Sequence, residues 1–388
     1  MDSFECPSCG QTNIQFFYQV KNVPVHSVQI IRERNVARNF PVGNIDLGLC
    51  DHCGFVSNYS YKPELQDYSF EYESTQTFSG TYNKFAIGLV EKLVNQYGLR
   101  NKTVIEIGCG QGELLNLIAR EGNNNCLGFD PAFENEIALD SSVKIVKDYF
   151  SGKYSNSIAD AVVCKMTLEH IQKVKEFIDH IRLIFKTSEQ LLFIQVPNAG
   201  KVFSDGAFWD IYYEHCSYFT KQSLVNLIRQ AGFTVVSAEF GFEDQYLMIV
   251  GRLAIEPYHD HIHYVSEPLS SNSHIDYGNK IAELKNHWTE FFARKPKTKT
   301  GVLWGGGSKA VAFLTTLGLS NEISCVVDVN PRKENTYLPV TGHQVVTPLT
   351  LKKANPDYVI VMNPIYVPEI KNKLHELGLS PSIFTVEK

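Results

Sequence analysis

The sequence predicts an α/β protein built around a Rossmann-like, doubly wound core. A cysteine-bearing domain precedes that core, and a smaller Rossmann-like α/β domain follows it. Three observations predict this. The run Val104-Ile-Glu-Ile-Gly-Cys-Gly-Gln-Gly112 reads as a buried strand, a tight glycine turn and then a helix. Cys6-Pro-Ser-Cys9-Gly10 and Cys50-Asp-His-Cys53-Gly54 are a matched pair of C-x-x-C-G turns. Gly301-Val-Leu-Trp-Gly305-Gly-Gly307-Ser-Lys309-Ala310 repeats the strand–glycine turn–helix plan near the C-terminus. At 388 residues the chain exceeds one typical domain. We expect divisions at 1–65, 66–295 and 296–388.

Composition narrows the possibilities. A 44% hydrophobic content fits a globular protein with ample core. No run of eighteen apolar residues is present, so no transmembrane helix or membrane partner is expected. Met-Asp-Ser-Phe-Glu-Cys lacks the basic and apolar regions of a signal peptide, which makes a cytoplasmic location the default expectation. The net charge is −6 and basic residues are scattered, which argues against nucleic acid as a partner. Nine cysteines in such a chain point to metal binding or packing, not disulfides.

In the N-terminal domain, two cysteines at C-x-x-C spacing let backbone N–H groups point at the sulfurs, and the trailing glycine completes each turn. Cys6, Cys9, Cys50 and Cys53 together offer the four thiolates of a structural zinc site. The interval from Cys9 to Cys50 is longer than the usual template and must hold strands. Ile14–Val20 and Val28–Ile31 have β character. His52 lies within a knuckle as a bystander. From Tyr59 to Phe85 the chain is rich in aromatics and hydroxyls, including Tyr61, Tyr68, Phe70, Tyr72 and Tyr82, without a clean period. It reads either as a plain connector or as a lid in front of the helix Tyr82–Tyr97.

The core is justified element by element. After the strand, Gly108, Gly110 and Gly112 permit positive φ and a close approach by a ligand. The helix Glu113–Arg120 offers unpaired N–H groups at its start. The strand Cys126-Leu-Gly-Phe-Asp130 follows about twenty residues on, with an acid at its tip placed to grip ribose hydroxyls. Ser142–Val146 and Ser157–Cys164 are strands, Lys173–Phe185 is an amphipathic helix, and Gln190–Val196 is a strand ending at Pro197-Asn198. Thr220–Ala231 is a helix stopped by Gly232, and the strands Phe233–Phe240 and Tyr246–Arg252 finish the core. Alternating strands and helices imply a parallel sheet with ligands at the strand C-termini.

Glu106-x-Gly108-x-Gly110-x-Gly112 differs from the G-x-G-x-x-G of pyrophosphate binders. It resembles the first motif of class I S-adenosylmethionine (SAM)-dependent methyltransferases. That resemblance makes Glu106, Gly108, Gly110, Gly112 and Asp130 cofactor residues. It also places Asp148, Tyr149 and Phe150 at the adenine. Two groups stand where substrate belongs. Leu168-Glu169-His170 follows the strand that ends at Cys164. Tyr212-Tyr-Glu214-His215 gives a base, a carboxylate to orient it and a phenol in one stretch, and histidine suits proton abstraction near neutral pH. An aromatic loop with a satisfied histidine would account for the same residues.

Beyond the helix His274–Arg294 and a Lys/Thr linker, Gly305-x-Gly307-x-x-Ala310 with Asp328 matches a dinucleotide fingerprint. Strands are expected at Ile323–Asp328 and Tyr358–Met362, with helices at Lys309–Leu317 and Val367–Leu377. The remaining roughly ninety residues suffice for one mononucleotide half-fold. Its glycine turn, with Lys309 beside it, is suited to one diphosphate, since helix N-termini favour anions.

Taken in order, four knuckle cysteines, this core with Tyr-x-Glu-His, and a C-terminal domain carrying Val327-Asp328-Val-Asn330-Pro331-x-Lys333 resemble a known family. It is the sugar C-methyltransferases that act on nucleotide-linked 4-keto-deoxysugars, and the likeness covers essentially the whole chain. The resemblance implies SAM, a structural zinc, and a dTDP-, GDP- or CDP-linked sugar held between the central and C-terminal domains. It implies a monomer or small homo-oligomer. It makes His215 the base, with Glu214, Tyr212, Tyr72 and His170 around it. It makes Asn198, Lys201, Gly305, Gly307, Lys309 and Arg332 substrate-binding. Three other readings remain: a sugar O-methyltransferase, a zinc-bearing RNA methyltransferase, and a non-enzymatic nucleotide-sugar sensor. The RNA reading lacks the N/D-P-P-Y/F run, since Lys165-Met-Thr stands in its place.

Overall fold

Each C-x-x-C-G turn closes in the same way. The glycine takes positive φ, at +74° for Gly10 and +73° for Gly54. Its N–H returns to the first cysteine's carbonyl, at 2.8 Å for Gly10 and 2.9 Å for Gly54. This fold is seen in a computed structural model that describes residues 4–66, 68, 71–134, 137–254, 273–296 and 298–387. Phe70 and most of the polar stretch before the connector helix lie outside the described residues.

Between the two turns, β1 (Ile14–Pro24) pairs antiparallel with β2 (Val42–Cys50), and β3 (Val56–Asn58) adds to β2. The expected strand at Ile14–Val20 therefore extends to Pro24, and its partner was not foreseen. Val28–Ile31 is not a strand of this sheet. It pairs with the aromatic segment instead: Ile30 N–H donates to Glu71 O at 2.8 Å and Glu73 N–H to Val28 O at 3.0 Å. The short helix α1 (Arg34–Arg38) follows. The fourth strand of the sheet is β9 (Ser217–Tyr218), which comes from the middle of the chain.

The central sheet has seven strands in the order β10-β11-β8-β7-β4-β5-β6. They are β4 (Thr103–Ile107), β5 (Asn125–Phe129), β6 (Val143–Val146), β7 (Ala161–Lys165), β8 (Leu191–Pro197), β10 (Phe233–Gly241) and β11 (Tyr246–Leu253). All pairings from β6 to β8 are parallel, and β11 runs antiparallel to both its neighbours. The inner strands are mostly apolar because both faces are covered, as parallel sheets require, with Glu106, Lys165 and Gln195 among the exceptions. The covering helices are α2 (Gly80–Asn95), α3 (Glu113–Gly122), α4 (Val174–Arg182) and α6 (Lys221–Gln230), while α5 (Ala199–Asp205) packs on the cluster shared with the N-terminal sheet. Ser79 caps α2, so that helix starts two residues earlier than its apolar spacing indicates. The strand expected from Ser157 starts only at Ala161, because Ser157 N–H closes a turn onto Tyr154 O. Helix α5 was not foreseen.

The connector α7 (Ser273–Arg294) leads to a second sheet, fully parallel, in the order β14-β13-β12-β15-β16. Its strands are β12 (Gly301–Trp304), β13 (Cys325–Val327), β14 (Val345–Val346), β15 (Tyr358–Val361) and β16 (Ser382–Thr385). Its helices are α8 (Ser308–Leu317), α9 (Leu351–Ala354) and α10 (Val367–Glu376). The two short strands β14 and β16 flank the three that the sequence indicates.

These parts share packing. One apolar cluster joins Leu47 of β2, Phe203 of α5, Trp288 of α7 and Phe313 of α8. Phe208 stacks on Phe313 at 5.8 Å, and Trp288 Nε1 donates to Val386 O at 3.1 Å. The divisions expected at 65 and 295 therefore run through a common core. Among the described residues, no helix is long and apolar enough to cross a membrane.

Both glycine turns leave strands where the strand order reverses, β4 between β5 and β7, and β12 between β13 and β15. Such points open crevices for ligands. Here the two crevices belong to one cavity of about 1400 Å³.

Candidate active site

The first crevice is shaped by Gly108, Gly110 and Gly112, with φ of +71°, +57° and +92°. A Cβ on Gly108 would fall 2.0 Å from Thr167 Oγ1. The turn is held by Asp130, whose Oδ2 accepts the Gly110 N–H and Oδ1 the Ala132 N–H, each at 2.8 Å. The acid expected to grip ribose thus also braces the loop. Glu106 points into the same crevice from inside β4. Its Oε2 is buried without a hydrogen-bond partner, and burial pushes the carboxyl up to about 8. A buried unpaired acid there suits a ligand that brings positive charge or N–H donors. Asp148, Tyr149 and Phe150 line the cavity. Phe150 packs on Phe129, Tyr149 is exposed, and Asp148 accepts from Tyr154 Oη at 2.6 Å.

The second group gathers on the loop before β9. His215 is buried, with its ring 4.1 Å from Tyr212 and 4.9 Å from His170. Burial, the neighbouring His170 and Lys309 hold His215 well below its ordinary value, so the imidazole is neutral near pH 7. His170 Nδ1 lies 3.0 Å from Glu214 O and 3.1 Å from Tyr68 Oη. A carbonyl only accepts, so Nδ1 carries the proton and Nε2 the lone pair. Tyr72 stands edge-on to Tyr68 at 5.1 Å, and burial raises its phenol well above the usual value. It stays a hydrogen-bond donor.

One expectation is corrected here. The Glu214 carboxylate does not orient His215. Its Oε1 accepts from Ser27 N–H at 3.1 Å and its Oε2 from Ser27 Oγ, with His26 Nδ1 3.7 Å from Oε1. The side chain is fully buried, and these N-terminal donors satisfy it. Glu214 touches His170 through its backbone carbonyl, and its buried charge also favours the protonated form of that ring. Ser27 and His26 gave no signal in the sequence, because no local spacing links them to a residue 187 positions away.

On the C-terminal side, Asp328 repeats the work of Asp130. Its Oδ2 accepts the Gly306 N–H and its Oδ1 the Asn330 N–H, each at 2.8 Å. Gly305, Gly307, Lys309 and Arg332 line the cavity, as do Asn198 and Lys201. Each cation already faces an acid. Lys309 meets Asp210 at 2.7 Å, Arg332 meets Glu73 at 3.0 Å and Lys201 meets Asp205 at 2.8 Å. Asn198 turns its amide to backbone, accepting from Lys201 N–H at 3.4 Å and donating to Asp244 O at 2.9 Å. It caps α5 and has little left for a ligand. Glu73 belongs to the aromatic segment, so that segment is tied across the cavity to the C-terminal sheet. Ser79 and Thr81 add bonds to Glu369 of α10 at 2.9 and 2.8 Å.

The sulfurs of Cys6, Cys9, Cys50 and Cys53 all lie within 4.8 Å of one another. The contacts Cys6–Cys53 at 3.6 Å and Cys9–Cys50 at 3.7 Å are far longer than a disulfide. They approach the edge of about 3.8 Å that a tetrahedron with Zn–S bonds of about 2.3 Å requires. Neighbouring thiols, Cys50 above all, push Cys6 and Cys53 up and hold Cys9 down. The four sulfurs fit a zinc ion.

Family models match the chain in two stretches. A methyltransferase domain covers residues 82–238, and a C-methyltransferase C-terminal domain covers residues 269–386. The chain is 22% identical over 386 residues to the C-methyltransferase NovU of Streptomyces niveus, covering 94% of this chain and 91% of that one. Two solved structures are similar at low scores. One is the 1,6-didemethyltoxoflavin-N1-methyltransferase of Burkholderia thailandensis, at 16% identity and a TM-score of 0.35, covering 45% of this chain and 81% of that one. The other is the magnesium protoporphyrin IX methyltransferase of Synechocystis PCC 6803, at 14% identity and a TM-score of 0.36, covering 45% and 84%. Neither likeness bears on function.

Gly108→Ala tests the glycine turn. The added methyl meets Thr167, and the backbone there disfavours any Cβ. Strain of about 1–2 kcal/mol in the turn should weaken SAM binding roughly tenfold or more. Isothermal titration of SAM into variant and wild type reads this directly.

Proposed function

Because the chain belongs to the SAM-dependent C-methyltransferases, we propose that its substrate is a nucleotide-linked 4-keto-deoxysugar, methylated at C-3 beside the ketone. One observation carries this reading. A single cavity spans both glycine turns, and a buried neutral imidazole, His215, stands on its wall. The size suits a cofactor together with a nucleotide sugar.

The chemistry asks for these groups. An ordinary sugar C–H is not acidic. A ketone on the next carbon makes it removable, because the anion spreads onto oxygen. SAM supplies an electrophilic methyl group. The protein must supply an unprotonated base and a donor for the enolate oxygen. His215 is the base: burial keeps it neutral, and Tyr212 packs on its ring. Tyr72 is the donor, since its phenol keeps its proton. His170 is the weaker choice for that role, because its one N–H is directed at Glu214 O.

The nucleotide is assigned to the second turn. Gly305–Gly307 opens onto the N-terminus of α8, where unpaired N–H groups favour a diphosphate. Lys309 and Arg332 stand beside it, each on a carboxylate that an entering diphosphate would have to displace or share. The pair with Glu73 ties the aromatic segment to that turn. Cys6, Cys9, Cys50 and Cys53 would hold a structural zinc through their four thiolates.

The substrate reading is tested with 4-keto-6-deoxysugars linked to dTDP, GDP or CDP. Incubation in deuterated water without SAM should give enzyme-dependent deuterium uptake beside the ketone. Addition of SAM should give a product heavier by one methylene. His215→Asn should lower both signals by roughly 10²–10⁴-fold while SAM still binds. Methylation without deuterium uptake would favour transfer to oxygen. For the metal, elemental analysis of the purified chain should return one zinc, lost in Cys50→Ser; a zinc-free, folded protein would remove that assignment.

A further inference from the structure

Glu169 is a buried acid that the reading so far leaves without a task. It is 1% exposed, and neither carboxyl oxygen has a hydrogen-bond partner. Leaving both oxygens bare costs free energy, so the group calls for an explanation. It sits in the turn Leu168–His170 at the C-terminal end of β7, and it lines the cavity. Its carboxyl and the ring nitrogens of His170 and His215 all lie within 4.8 Å of one another. Glu214, the other acid of this region, is already engaged by Ser27. When His215 takes a proton it becomes a buried cation, and its neighbours His170 and Lys309 oppose that charge. A buried cation needs a partner.

We propose that Glu169 is the positioning residue that balances this charge. As the carbon-bound proton moves to the free ring nitrogen of His215, its bonding pair passes to the enolate, and Glu169 gives its own O–H proton to solvent through the cavity. Glu169 then faces the imidazolium as a carboxylate. After product leaves, the imidazolium proton returns to Glu169 and both groups are neutral again. One proton leaves per turnover, as methyl transfer from a sulfonium to a carbon acid requires. The inference rests on the enolate reading above.

The surroundings agree. Burial pushes Glu169 up to about 8; its own amide, which lies near the carboxyl without meeting hydrogen-bond geometry, and Lys165 pull it back. The groups facing it are Lys165, His170, His215, the phenols of Tyr72 and Tyr212, and the thiols of Cys164 and Cys216. The lysine does not sit on its carboxyl, as neither oxygen has a hydrogen-bond partner. The acid and the base therefore both rest neutral near pH 7. Above about 8 the ionised carboxylate raises the proton affinity of His215, so proton abstraction should speed up through that range.

Two measurements on the full chain decide it. The first is the infrared difference between wild type and Glu169→Gln, without substrate. It should show a protonated carboxyl at pH 7 that disappears as the pH rises through about 8. A Glu169 already ionised at pH 7 overturns the inference whatever the substrate proves to be. The second is deuterium exchange into a 4-keto sugar. Glu169→Gln should lower the rate on the order of 10²-fold and flatten its rise with pH, leaving KM and SAM affinity nearly unchanged. Glu169→Asp, which can still ionise, should recover part of the rate. Near-wild-type exchange in Glu169→Gln overturns the inference. If wild type itself exchanges no keto sugar, the enolate reading fails, and the infrared result still reports where the proton on Glu169 resides.

Discussion

A buried carboxylate must find donors, and the fold around the cavity is arranged to meet that demand at Glu214. Ser27 supplies an N–H and a hydroxyl, and the same hydroxyl lies 2.8 Å from Ser308 Oγ at the start of α8. One side chain thus joins the loop after β1, the loop that carries His215 and the second glycine turn. Removing either partner would strand a polar group in the interior, which is far costlier than the bond is worth. The backbone of Glu214 meanwhile fixes His170. The geometry of both histidines therefore depends on a contact that neither makes.

The two glycine turns show how far one local solution is reused. In each, a strand ends in glycines and the acid at the tip of the next strand accepts two backbone N–H bonds, at Gly110 and Ala132 for Asp130 and at Gly306 and Asn330 for Asp328. The turns differ in what surrounds them. Around the first are Glu106, Asp130 and Asp148, suited to a cation. Around the second are Lys309, Arg332 and Lys333, each facing an acid that an entering anion would have to displace or share. A chain that brings both to one cavity can hold a cationic cofactor and an anionic substrate without either competing for the other's place.

Much of this was legible from local pattern. Strand, turn and helix periods exposed both Rossmann-like units, and the repeated C-x-x-C-G spacing brought four cysteines together as it indicated. The loop Tyr212–His215 and the turn at His170 do meet at the cavity. What the pattern hid were contacts between distant segments. Ser27 on Glu214, Asp210 on Lys309 and Glu73 on Arg332 have no spacing that announces them. Glu214 read as the partner of its neighbour His215, yet adjacent residues on a loop need not face one another. Ser217–Tyr218 is too short to show a strand period and becomes one only by pairing with β3. Adjacency to His170 in the sequence says nothing of whether the Glu169 oxygens have partners.

Where the methyl group ends up separates transfer to carbon from transfer to oxygen. The most direct measurement uses SAM carrying a carbon-13 methyl, a panel of nucleotide-linked 4-keto-6-deoxysugars, and nuclear magnetic resonance of the product. An enolate formed by His215 predicts a labelled methyl bonded to the ring carbon beside the ketone. A labelled methoxy signal would contradict it, placing the transfer on oxygen and leaving the neutral imidazole without the carbon acid proposed for it.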